Sequence, residues 1–336
     1  MSQQGTISRT GSADAEGACG SSSSRGPCDL TVIVLTFNEE LHIARCLASL
    51  DGLPRRILVV DCYSSDRTRE VAASMGAEVL THEWSSHAGQ FNWALDNAGI
   101  DTTWVMRLDA DEVAMPGLVE TLRRVLPCAD ESTAGFTLNL RRYFMNRWLR
   151  HGALYPIRLL RIWRVGKGRC ENRWMDEHVE VGGRIEHLAA DFADWTLHDI
   201  TRWTAKHNEY ATKEAIQLLS SQIDAQASRA DGPSLGSQAK AKRWLKNRVY
   251  ARLPLGMRAF AYFGYRYFLR LGFLDGWPGL VFHVLQGFWY RFLVDVKVYE
   301  LRLEMQERRQ SLAEVVRTKY GLEIAPVVST SSGKVD

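Results

Sequence analysis

An α/β fold, with a mainly parallel sheet and helices on both faces, is what this sequence predicts. Two observations carry that prediction. Short, near-continuous apolar runs of strand length recur, the mark of strands buried on both faces. Between them lie segments with helical spacing, joined by short connections, which is the βαβ pattern of a parallel sheet. The chain has 336 residues, 46% of them hydrophobic and 24% charged. That is enough apolar material for a large core and enough length for one domain plus a substantial extension.

Leu30–Leu35 (LTVIVL) predicts the first strand. Leu41, Ile43, Ala44, Leu47 and Leu50 then recur at helical spacing over 39–50. RILVVD (56–61) predicts a second strand, and 65–75 a second helix with Ser65 and Asp66 as its cap. Residues 77–81 predict a third strand, 87–97 a helix, and 103–108 (TWVMRL) a fourth strand. A helix over 116–126 starts with Pro116 in its first turn. Alternating residues predict strands at 135–143 and 157–163, and 175–181 (MDEHVEV) predicts a short one. A long helix is predicted over 201–220. The Ser/Gly/Ala/Asp-rich stretch that follows, with Pro233, predicts a mobile loop.

These elements divide the chain into a tail at 1–28, a catalytic-type α/β domain at 29–220, a linker or loop at 221–239, a helical region at 240–325 and a short tail at 326–336. From Gly232 to Val294 the chain carries ten Lys/Arg and one acid, Asp275, interleaved with many aromatic side chains. Cations mixed with amphipathic rings suit an anionic bilayer surface. No apolar run reaches the roughly 18 to 20 residues of a membrane span. The helical region is therefore expected to lie on a membrane surface. A core or subunit interface and an RNA-binding surface are the competing readings, and homo-oligomerisation stays open.

The formal net charge of +3 is too small over this length to argue for nucleic acid. Met1–Pro27 has no apolar signal-peptide core. The six cysteines form no metal-like spacing and suit incidental thiols in a reducing compartment. A cytoplasmic location, peripherally attached to the inner membrane, is the expectation. There is no GxGxxG and no GxxxxGK[ST], which argues against a dinucleotide-dependent dehydrogenase and a P-loop NTPase.

Ligands of such sheets bind beyond the carboxyl ends of the strands. Three of those ends are polar and acidic: Thr36-Phe37-Asn38-Glu39-Glu40, Asp61-Cys62-Tyr63-Ser64-Ser65-Asp66 and Asp109-Ala110-Asp111-Glu112. Asp109 and Asp111, two positions apart on a turn, can face one hard cation such as Mg2+ or Mn2+. A divalent ion there would neutralise the charge of a departing diphosphate. Asp61 is placed to accept from a base N–H or from ribose hydroxyls.

The runs VIVLTFNEE (32–40), VVDCYSSDRT (59–68) and RLDADE (107–112), in this order, resemble the family 2 glycosyltransferases of the GT-A fold. The nearest branch is that of bacterial lipopolysaccharide-core and exopolysaccharide assembly. There the second motif commonly reads DSYSTDxT, and Cys62 and Ser65 depart from it. The resemblance covers about 30–208 and leaves the sugar open. It implies an inverting, metal-dependent enzyme that moves a sugar from a nucleotide-sugar, with a UDP-sugar favoured, to a lipid-linked saccharide or glycolipid. Thr36, Phe37, Asn38, Glu39 and Asp61 would then hold the nucleoside. Gln90 and Asn92 would reach the donor near its diphosphate, with Arg107 pairing the phosphates or bracing the aspartates. Asp109 would face ribose, sugar or metal, and Asp111 the metal. His198 is a candidate third metal ligand, with His178 competing. The general base would be Asp176 or Glu177, which face opposite ways on a strand.

Two other readings compete with this one. A sugar-nucleotide pyrophosphorylase needs a basic, Gly-rich loop where this chain has Asn38-Glu39-Glu40. A non-catalytic membrane adaptor that kept the fold would not need the DxD turn.

Overall fold

The structure is a computed structural model that describes residues 26–171, 179–227 and 256–323. The chain runs β1 (Cys28–Thr36), α1 (Ile43–Ala48), β2 (Pro54–Asp61), α2 (Thr68–Ser74), β3 (Glu78–Thr81), α3 (His87–Asn97), β4 (Trp104–Asp109), β5 (Glu112–Ala114) and α4 (Leu118–Val125). Strands β6 (Thr133–Phe144), β7 (Arg147–Leu149), β8 (Ile157–Arg164), β9 (Gly168–Cys170), β10 (Val179–Val181) and β11 (Arg184–Trp195) follow, then helix α5 (Ile200–Ala227).

Strand β1 shows why the domain folds as it does. Leu30, Val32 and Val34 face a core shared with α1 and α4, while Ile33 and Leu35 face a second core shared with α3. Successive side chains point to opposite faces, so an unbroken apolar run is what a strand covered on both sides requires. Each such residue contributes about 1.5–3 kcal/mol on burial.

The sheet order is β3-β2-β1-β4-β8-β6-β11-β5, with β7 hydrogen-bonded to β6. The half from β3 to β4 is parallel. In the other half β6 and β11 also pair in parallel, but the remaining pairs depart from the mainly parallel pattern. Strand β8 runs antiparallel to β4 and β6, and β5 antiparallel to β11. The sheet is therefore mixed. Helix α1 starts four residues later than expected, because Asn38 has a left-handed backbone (φ 55°) and the chain turns before it coils. Helix α5 continues to Ala227, so the start of the expected linker is helical.

Within the expected helical region 240–325 the described residues 256–323 are helical, while 240–255, the rest of the expected linker and the two expected tails, apart from 26–28, lie outside the described residues. This C-terminal region comprises α6 (Met257–Gly264), a π-helical stretch (Tyr265–Leu269), a short 3-10 turn (Gly272–Asp275), α7 (Gly276–Phe282), a second π-helical stretch (His283–Trp289), α8 (Tyr290–Arg308) and α9 (Leu312–Tyr320). Helices α5, α8 and α9 share an apolar core of Ala211, Ala215, Ile216, Val294, Val298, Leu301, Val315 and Val316. Phe282 of α7 packs with Phe144, Leu149 and Leu154, joining this region to β6 and β7. Among the described residues no helix is long and apolar enough to cross a membrane. Cys28, Cys46 and Cys170 are buried free thiols and Cys62 is a half-buried one, while Cys128 is disulfide-bonded and departs from the incidental-thiol expectation.

His283 is fully buried and neither ring nitrogen has a hydrogen-bond partner. Burial, reinforced by Arg266, lowers its pKa from 6.5 to about 4. The unfolded chain therefore takes up a proton that the folded chain refuses, so stability falls as pH drops from about 6.5 to about 4. The full swing is about 3 kcal/mol. Urea denaturation of wild type and His283→Leu between pH 7.5 and 4 checks this, and the variant should lack that part of the decline.

Candidate functional site

The site is built where β1, β2 and β4 end, facing the N-terminal turns of α5. Glu112, one residue past the Asp109-Ala110-Asp111 turn, is buried and fastens that turn. Its Oε2 accepts from the Asp109 backbone N–H at 2.9 Å, and its Oε1 accepts from Arg161 Nη2 at 2.5 Å. The Asp111 carbonyl accepts from the Trp195 N–H at 3.1 Å, tying the turn to the end of β11.

The two aspartates differ in environment. Asp109 is desolvated, but Arg107 (3.4 Å) and Arg161 outweigh that and hold its carboxyl well below the ordinary range. Asp111 is pushed up to about 7, first by desolvation and then by the charges of Asp194, Asp109 and Glu39, with Lys206 opposing. Crowded carboxylates of this kind favour a cation among them.

Three groups on the loops complete the cleft. His42 Nδ1 lies 2.6 Å from Glu39 Oε2, and His42 Nε2 accepts from the Leu197 N–H at 2.8 Å. An accepting Nε2 leaves the proton on Nδ1, so His42 donates to Glu39. His198 packs edge-on against His42 with ring centroids 4.5 Å apart. Its Nε2 is buried without a hydrogen-bond partner, 3.9 Å from Glu39 Oε2. Desolvation, His42 and Arg202 lower the His198 pKa and so favour the neutral ring. The ligand atoms of Glu39, His42 and His198 all lie within 4.8 Å of one another.

This donor set fits a divalent cation. His198 offers an orphaned nitrogen and Glu39 an oxygen, His42 orients Glu39 from behind because both its nitrogens are taken, and the Asp111 carboxyl interacts electrostatically with Glu39. Lys206 supplies the opposing charge. Desolvation lowers its pKa, but Tyr210, Asp111 and Glu39 more than offset this and leave it raised.

Other expected residues fall into two groups. Phe37 is exposed at the end of β1, and Tyr63, also exposed, stands at the neighbouring end of β2 with a left-handed backbone. Thr36, Asn38 and Asp61 are engaged with the loops. Asp61 is fully buried and accepts from Thr36 Oγ1 (2.9 Å), Ser64 N (2.8 Å) and Ser64 Oγ (2.5 Å). Asn38 Oδ1 accepts from Ser65 N at 2.8 Å. In this structure Asp61 and Asn38 brace the two strand ends against each other.

Gln90 and Asn92 also differ from the expected donor contact. The Gln90 amide is buried and bridges His82, through Oε1 to Nδ1 and through Nε2 to the carbonyl. The Asn92 amide pairs with both backbone groups of Cys170. Their polar atoms serve the scaffold, clipping α3 to β3 and β9. Asp176, Glu177 and His178 lie outside the described residues. His42, Glu112, Asp194 and Lys206 were not singled out for this site from sequence. Glu39-x-x-His42 spacing could have signalled the first of them.

Beside His198 a pocket of about 190 Å3 opens between Phe144, Met145 and Asn146 on one wall and Thr196–Ile200 with Trp203 on the other.

Residues 31–183 match the family model of glycosyl transferase family 2. This stretch, a little under half of the chain, is similar to that family, and the mixed sheet with helices on both faces agrees with the GT-A-type fold expected from the sequence. An uncharacterized glycosyltransferase of Rickettsia typhi is 35% identical over 83 residues, 25% of this chain and 28% of that protein. Its counterpart in Rickettsia prowazekii is 34% identical over the same length. The chain thus spans less than a third of the curated relatives it matches. Among solved structures, the mannosyltransferase PcManGT of Pyrobaculum calidifontis, in complex with GDP-Man and Mn2+, is 16% identical, with 82% of this chain and 88% of that one covered and a TM-score of 0.45. A glucosyl-3-phosphoglycerate synthase of Mycobacterium tuberculosis is 23% identical over 35% of this chain and 46% of that one, with a TM-score of 0.29.

Two outcomes check this geometry. Arg161→Leu leaves Glu112 buried without its partner and should cost about 3–5 kcal/mol in urea denaturation. By titration calorimetry with Mn2+, His198→Ala and Asp111→Asn should abolish measurable binding. His42→Ala should weaken it about 10- to 100-fold.

Proposed function

We propose that this protein is a metal-assisted glycosyltransferase that moves a sugar from a nucleotide-sugar to a lipid-linked saccharide or glycolipid in cell-surface polysaccharide assembly. The observation that carries the reading is the convergence of Glu39, His42 and the unpartnered His198 Nε2 beside the acidic Asp109-Ala110-Asp111 turn, whose Asp111 feels the charge of Glu39. A crowd of acids with one orphaned nitrogen would repel a bare diphosphate and accept one that arrives with Mg2+ or Mn2+.

In this reading Phe37 and Tyr63 flank the base, and the strand ends braced by Asp61 present backbone groups to the nucleoside. Glu39 and His198, with Asp111 beside them, would hold the metal, which when bound would offset the negative charge that grows on the diphosphate. Arg107 keeps Asp109 ionised, and Lys206 faces the same cleft with a second positive charge. The acceptor hydroxyl attacks the anomeric carbon as the bond from that carbon to the diphosphate oxygen breaks, and that electron pair leaves with the diphosphate. The hydroxyl proton passes to Asp176 or Glu177, which the family resemblance offers as base, giving inversion. The pocket beside His198, walled by Phe144, Met145 and Trp203, lies on the acceptor side. A lipid-borne acceptor places the protein at the cytoplasmic face of a membrane.

Purified protein incubated with Mn2+ or Mg2+ and a panel of UDP-, GDP-, dTDP- and CMP-sugars tests the reading. Metal-dependent release of one diphosphate is expected, at least about 100-fold lower for Asp111→Ala. Folded protein that binds no nucleotide in the presence of metal would overturn the enzymatic reading and favour the adaptor.

A further inference from the structure

The C-terminal region doubles back on itself between α6 and α7, and among the described residues the turn carries a cluster of exposed apolar side chains. Phe268, Leu269, Leu271, Phe273, Leu274 and Trp277 lie within ten residues and are all exposed, Leu269 at 75% and Trp277 at 70%. Leu271 adopts a left-handed backbone (φ 59°), which lets the π-helical stretch hand over to the 3-10 turn and keeps the apolar residues at the tip.

This tip is held rigidly. Asp275, its one acid, points inward and is buried, accepting from the N–H groups of Arg150 and His151 and pairing with His151 Nδ1 at 2.8 Å. Gly152 N–H donates to the Arg270 carbonyl at 2.8 Å. Arg266 reaches back to the Gly152 carbonyl at 2.9 Å. The turn is therefore preformed against the segment that follows β7.

Charge around it has one sign. Arg270 is exposed on the tip, and Arg147 and Arg150 are exposed on the segment it docks against, with Arg147 within 4 Å of where a side chain on Gly276 would begin. The segments that meet here are almost free of acids. Ser132–Cys170 contains none, and Gly232–Val294 contains Asp275 alone. An apolar tip inside a collar of arginines, with the local carboxylate turned inward, suits a surface that is apolar below and anionic at its edge.

We infer that the 268–277 tip is a membrane-docking wedge that inserts its apolar side chains among the acyl chains of an anionic bilayer, while Arg147, Arg150 and Arg270 meet the lipid phosphates. A second copy of the chain is a poor occupant, since a self-complementary contact would bring the two arginine collars together. The inference does not need the transferase reading, because vesicle binding and nucleotide binding are measured separately.

Sedimentation of the full chain with phosphatidylcholine vesicles, and with vesicles that also contain phosphatidylglycerol, is the test. Binding to the anionic vesicles, weakened by salt, is expected. Leu269→Asp with Leu274→Asp should abolish it, and Arg270→Gln should weaken it about fivefold. These side chains are exposed, so thermal melts and nucleotide binding should be unchanged. If the double variant destabilises the fold, Phe268→Ser serves as the milder probe. Equal sedimentation of wild type and variants, or none by wild type, overturns the inference. So does a wild-type dimer in light scattering that the double variant breaks without any vesicle binding.

Discussion

Glu112 is the constraint on which the site depends. It sits buried at the start of β5, takes Arg161 on one oxygen and the Asp109 N–H on the other, and so fixes the turn that presents Asp109 and Asp111. A buried carboxylate is tolerated only when paired and hydrogen-bonded, and Arg161 on β8 meets that need from the antiparallel half of the sheet. The mixed topology thus has a chemical consequence. The parallel half brings the loops to one edge, and the antiparallel half supplies the cation that lets the acidic turn exist.

The rest of the cleft follows from that crowding. Asp111 stands near Asp194, Asp109 and Glu39, and like charges at close range push its carboxyl towards neutrality. Lys206 from α5 relieves part of the repulsion. His42 orients Glu39 and, by accepting the Leu197 N–H, also fixes the turn that carries His198. Four distant stretches of chain are brought together around a place that suits a positive ion. The pocket beside His198 continues from there towards Phe144 and Trp203, which pack next to Phe282 of the C-terminal region.

Much of this was legible in the sequence because local patterns encode it. Strands buried on both faces read as apolar runs, and the polar residues just after them mark the ligand edge of the sheet. What was not legible depends on pairing across long separations. Nothing local distinguishes Glu112 from its acidic neighbours until Arg161 arrives from β8. Lys206 meets Asp111 and Glu39 only across long separations, so its place at the cleft has no local signature. Gln90 and Asn92 sat in a suggestive segment, yet the structure uses their amides to clip α3 in place. The basic C-terminal composition was informative as a total and misleading residue by residue. Arg258 and Arg266 are buried, on Asp295 and on the Gly152 carbonyl, whereas Arg270 is exposed.

The central proposal is that Glu39 and His198, together with Asp111, form one divalent-cation site at the carboxyl edge of the parallel strands. Anomalous diffraction from crystals grown with Mn2+ and either UDP or GDP tests it most directly. The account predicts a manganese peak bonded to Asp111 and to His198 Nε2, with the diphosphate on its open side and the base near Phe37. A peak elsewhere in the protein, or a nucleotide bound at this edge with no metal at these residues, would contradict it.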